Sequence, residues 1–167
     1  MPLIVKRLFK TYTRLLLATA FFGGSLRTFA DPISSASCEE ALAMAERIAS
    51  KNTSWTIYRT VGSSMGDFFG SNSFILVKKV SMREVKGGML ILYRSSKGMP
   101  TAHRVIENRG PWLKTAGMDN TKMDPIYVKA DAVEGIVFGV LHAAEIPNGP
   151  VYTSDGREVA VAYCKSY

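Results

Sequence analysis

The sequence predicts a mainly β protein: a mostly antiparallel, barrel-like sheet, with one short N-terminal helix. Three observations carry that expectation. The apolar runs beyond Ser50 are short and rich in β-branched and aromatic residues. Clusters of Gly, Ser, Asn and Pro separate them. They also follow one another with no helical spacing between, which favours a mostly antiparallel, barrel-like arrangement.

The elements follow in order. Residues 1–30 read as an export signal, with Lys6, Arg7, Lys10 and Arg14 leading into an apolar run over 15–24. Thr28 and Ala30 supply the small residues that suit cleavage before Asp31. The apolar run is well short of the ~20 residues that span a bilayer, which favours a cleaved signal over the alternative of an uncleaved anchor. Residues 31–56 hold a polar lead and an amphipathic helix over 37–50. Ser35 or Ser37 is its cap, Glu39 and Glu40 suit its positive end, and Leu42, Ala45 and Ile48 or Ala49 share an apolar face. Strands are expected over 55–61, 74–79, 89–93, 103–107, 126–129 and 132–141, within a main β domain of residues 57–146. Residues 147–167 read as a C-terminal hairpin turning at Asp155-Gly156.

A chain of 167 residues suffices for one modest core. Its net charge of +7 invites a nucleic-acid reading. Five basic residues and no acid fall in residues 1–30, however, leaving 16 basic against 14 acidic residues, a net of +2. A basic nucleic-acid surface is therefore not implied. There is no metal-ligand cluster, phosphate loop or dinucleotide fingerprint, so neither metal nor cofactor is expected. Cys38 and Cys164 pair as one disulfide if the chain matures in an oxidising compartment; the alternative is two buried free thiols.

The chemistry-bearing segments are Gly62-Ser63-Ser64-Met65 and Ala102-His103-Arg104-Val105, followed by Asp119 and Asp124 in loops. A serine hydroxyl attacks only when a base takes its proton, and imidazole does this best when a carboxylate fixes its tautomer. Ser64 is the candidate nucleophile, with Ser63 its rival, and His103 is the candidate base. His142 reads as structural. Asp119 and Asp124 are both candidates for the carboxylate partner of His103. Lys78, Lys79 and Lys86 fall in strand or turn positions, and a lysine base would need desolvation to lower its pKa.

In order and spacing these segments resemble the signal peptidase I family in its serine–histidine form. The matching pieces are Gly62-Ser63-Ser64-Met65, Val85-Lys86-Gly87-Gly88-Met89-Leu90-Ile91, His103-Arg104-Val105 and Lys114-Thr115-Ala116-Gly117-Met118-Asp119-Asn120. They span about residues 57 to 141. Asp67, Gly70-Ser71 and Gly87-Gly88 depart from the family pattern, which has proline at the first and Gly-Asp pairs at the others.

The resemblance implies a coiled antiparallel β-barrel-like fold and a serine endopeptidase that cleaves after small residues of an extended peptide or protein, and the export signal would place it in the periplasm or outside the cell once removed. It implies Ser64 as nucleophile, His103 as base with Asp124 as its partner and Asp119 in support, Met65 against the apolar wall of the cleft, and the Ser64 N–H as an oxyanion donor. With Gly62 in place of the usual serine, Ser63 or another N–H must supply the second donor. A membrane-associated partner or substrate is compatible with it. The alternative is a catalytically silent relative that binds extended peptides by strand addition.

Overall fold

The computed structural model describes residues 36–165; the expected export signal and cleavage site lie outside the described residues. One α-helix, α1 (Cys38–Ala49), precedes eight strands. These are β1 (Trp55–Gly62), β2 (Ser73–Lys78), β3 (Leu90–Arg94), β4 (Pro100–Asn108), β5 (Trp112–Ala116), β6 (Val128–Lys129), β7 (Val133–His142) and β8 (Ala160–Cys164). Ser37 caps α1: its hydroxyl accepts from the Glu40 N–H while the Glu40 carboxylate accepts from the Ser37 N–H. β5 has no counterpart among the expected strands. β4 begins three residues earlier than the apolar run suggests, at Pro100.

Six strands close in the order β3-β7-β2-β1-β8-β4, with β4 returning to β3; β5 and β6 extend from β4. The barrel is mixed and not purely antiparallel. β8 runs parallel to β1, from Tyr58↔Ala160 to Gly62↔Cys164, and parallel to β4 at Thr101↔Tyr163. The expected C-terminal hairpin is reduced to one bridge, Tyr152↔Glu158, around the Asp155-Gly156 turn. The chain then leaves that turn and enters the barrel as β8. A parallel partner needs a long return path, and residues 143–159 provide it, packing Ala143, Ile146, Val151 and Val159 against the helix.

β2 is buried along its first five residues because both of its faces are covered. Phe74 and Leu76 meet Ala41, Leu42 and Ala45 of α1. Ile75 and Val77 point the other way, into a cluster with Met65, Phe69, Leu92, Ala102, Ala162 and Cys164. This period-two division turns a continuous apolar run into a strand shared by two cores. A third cluster of Val85, Ile91, Tyr93, Val105, Leu113 and Val128 lies where β5 and β6 cover the β3–β4 ladder. Cys38 and Cys164 carry free thiols and pack in different clusters, the first against the helix cluster and the second in the cluster with Met65. The expected disulfide is not formed in this structure.

Candidate active site

β1 ends at Gly62, and the turn that follows delivers Ser64. Gly62 has φ +113°, and a Cβ there would lie 2.0 Å from the Cys164 carbonyl oxygen. Only glycine allows the chain to turn so close to β8. Ser64 is 1% exposed and Met65 is fully buried. Ser63 is exposed, and its carbonyl accepts from the Gly66 N–H at 2.9 Å, closing the turn.

His103 lies in the middle of β4, opposite Ile91 of β3, fully buried on the same face of the ladder as Val105. The Tyr93 ring meets its imidazole edge-on, with centroids 6.4 Å apart. Asp124 comes from the loop before β6. Its N–H donates to the Thr115 carbonyl at 2.8 Å, which docks the loop on β5.

These three separate segments converge. Ser64 Oγ is 2.9 Å from His103 Nε2, and His103 Nδ1 is 2.7 Å from Asp124 Oδ2. Thr115 Oγ1 donates to the same Asp124 oxygen at 2.6 Å. Burial alone would raise the Asp124 carboxyl. The hydrogen bonds from His103 and Thr115, helped by the charges of His103 and Lys114, outweigh it and hold the group below its ordinary range. Asp124 is therefore a carboxylate near neutral pH and can only accept. Nδ1 must carry its proton toward Asp124, which leaves Nε2 as the acceptor for the Ser64 hydroxyl. The arrangement can deprotonate Ser64 and stabilise the imidazolium that results. Asp124 also borders a cavity of about 40 Å³ with Tyr93, Arg94, Ser95 and Tyr127, while its Oδ1 is buried without a hydrogen bond among the described residues.

Asp119 takes a different position. It is exposed, and its N–H donates to the Ser64 carbonyl at 3.0 Å, so its backbone clamps the Ser64 turn from outside. Gly117 completes that clamp: a Cβ there would stand 2.4 Å from the Ser64 carbonyl oxygen and 2.8 Å from Asn120 Nδ2. His142 faces Ser73, with Nδ1 3.0 Å from the hydroxyl, away from the Ser64 group. Lys78 ends β2, and Lys79 and Lys86 are exposed.

Two participants escaped sequence reasoning. Thr115 is one, buried on β5, and no sequence signal marks it, since the strand that carries it was itself not expected. The other is Cys164, whose carbonyl accepts from the Ser64 N–H at 3.2 Å. The expected oxyanion donor is thus already bonded to the chain's own last strand. No metal-binding group of three or more His, Cys, Asp or Glu occurs among the described residues. No protein-family model matches the chain, and no curated protein does.

Proposed function

We propose that this protein is an exported serine endopeptidase of signal peptidase I type, cleaving an extended peptide after a small residue. The observation that carries this reading is the hydrogen-bonded chain from Ser64 through His103 to Asp124, with both links under 3 Å and the members drawn from three elements. Buried polar groups cost stability unless paired, and a core built for stability alone would fill these sites with apolar side chains. His103 takes the Ser64 proton as the hydroxyl oxygen attacks the substrate carbonyl. The imidazolium then protonates the leaving amine, an acyl-enzyme remains on Ser64, and His103 activates water to release it.

One observation favours a second reading. Ser64 is 1% exposed and its N–H is already bonded, as a silent relative that binds peptides by strand addition would have them. A serine-directed fluorophosphonate separates the two, because only an activated serine is phosphonylated. Labelling at Ser64 in the purified protein, lost in His103→Ala with the fold intact, supports the peptidase. No adduct on Ser64 rejects it. Peptide hydrolysis should fall on the order of 10⁶-fold in Ser64→Ala or His103→Ala, and no further in the double variant.

A further inference from the structure

We propose that β8 is the chain's own substrate, seated in the peptide groove with the Cys164–Lys165 bond as the bond cut. This rests on the serine-peptidase reading above. β1 leads directly into Ser64 and β4 carries His103. A peptide attacked by Ser64 and protonated by His103 must therefore lie extended beside these two strands. β8 does so: it pairs with β1 over five residues and with β4 at Thr101↔Tyr163, and it runs parallel to both.

The register points to one bond. An acyl group under attack must turn its carbonyl oxygen toward donors that will hold the oxyanion, and the N–H of the nucleophile itself is one such donor. The carbonyl oxygen in that position is the one on Cys164, 3.2 Å from the Ser64 N–H. Upstream of it, side chains alternate as they do in any strand. Ala162 and Cys164 are fully buried beside Met65, Phe69, Leu92 and Ala102, while Tyr163 between them is half-buried. The two inward positions thus hold a methyl and a thiol, the small residues that the reading above requires of a substrate. Beyond the bond, Lys165 is exposed and outside the strand. The Cys164 thiol does not compete as nucleophile, because burial pushes it up to about 12.

The step balances without a co-reactant other than water. Ser64 Oγ bonds to the Cys164 carbonyl carbon and its proton passes to His103 Nε2. The Cys164–Lys165 C–N bond breaks, and the Lys165 nitrogen leaves as an amine with that proton. The resulting Ser64–Cys164 ester is hydrolysed to a Cys164 carboxylate and free Ser64.

Intact mass and C-terminal peptide mapping of the purified full chain test this. The expected species ends at Cys164, with or without a companion lighter by one water, the internal ester. Ser64→Ala should retain everything from Lys165 onward. So should Lys165→Pro, an exposed change outside the strand that leaves a proline nitrogen as leaving group. A wild-type chain that keeps Lys165 yet takes the fluorophosphonate on Ser64 overturns this proposal and spares the peptidase reading. A chain that keeps Lys165 and takes no label overturns both. Loss of the segment in Ser64→Ala as well assigns the cut to another protease and also overturns the proposal.

Discussion

At the scale of single residues, the decisive choice lies between two aspartates five positions apart. The sequence favours Asp124 over Asp119 as the partner of His103, and the structure brings Asp124 Oδ2 to 2.7 Å from the imidazole while Asp119 stays exposed. Asp124→Asn should therefore move the acid limb of the activity profile to lower pH and reduce the plateau by about 10⁴-fold, since the imidazolium loses its counter-charge and the tautomer its anchor. Asp119→Asn should leave the midpoint unchanged, because the group it gives to the site is a backbone N–H. A pH–rate series on both variants checks this, and a shift in Asp119→Asn alone would exchange the roles. Thr115 was not legible as a participant: on paper it is one threonine outside any expected strand, and only docking of the Asp124 loop onto β5 reveals its carboxylate partner. Thr115→Val keeps the shape and removes one donor, at about 1.5–3 kcal/mol for a bond to a charged group. The sign with pH follows from the depressed Asp124 value. That stabilisation is complete above the unfolded-state range and is lost as pH falls through the folded-state value. With one donor gone the folded-state value rises, so Thr115→Val should begin to unfold in acid at a higher pH than wild type, which a pH series of chemical denaturation would reveal.

The elements were legible unevenly, and the reason is whether the signal is local. The helix carries its own start signal in the Ser37–Glu40 capping box, and its expected span of 37–50 brackets the observed Cys38–Ala49. Strands with apolar runs were found to within a few residues. The direction of β8 was not, because Asp155-Gly156 is a sound hairpin signal, and local reasoning cannot see a stretch leave that turn to fill a gap between β1 and β4. β5 was missed for a related reason: it is five residues long with two of its neighbours, Gly110 and Gly117, reading as loop. Gly117 earns its place through an element-level contact, with the turn it opens packed against the Ser64 carbonyl. Gly117→Ala would force a Cβ to within 2.4 Å of that oxygen, so either the turn or Ser64 must shift. A displacement near 1 Å costs about 10²-fold in rate. Turnover should fall by that order while α1, whose cap is remote in sequence, retains its helical signal by circular dichroism. Unchanged turnover would mean that the 117–120 turn does not set the position of Ser64.

For the whole molecule, the mainly β barrel-like class was readable from run length and spacing, whereas its closure was not, because closure depends on one strand returning late in the chain. Integrity of the barrel therefore turns on β8, and Cys164 is a built-in reporter of it. The thiol is fully buried, and burial pushes it up to about 12. Cys38 is less enclosed; burial and the neighbouring Glu39 raise it, without the same enclosure. Alkylation requires thiolate and access together. At pH 8 an alkylating reagent should modify Cys38 readily while Cys164 stays protected, and raising the pH within the folded range should gain little at Cys164. Adding denaturant should expose Cys164 in step with loss of the β-sheet signal, because a strand paired on both sides opens only when the barrel does. Peptide-resolved mass spectrometry after timed alkylation gives both rates. If Cys164 reacts as fast as Cys38 in the folded protein, β8 leaves the gap between β1 and β4 without global unfolding. If neither reacts until a reductant is added, the two sulfurs are joined and the separation of Cys38 from Cys164 described above is wrong.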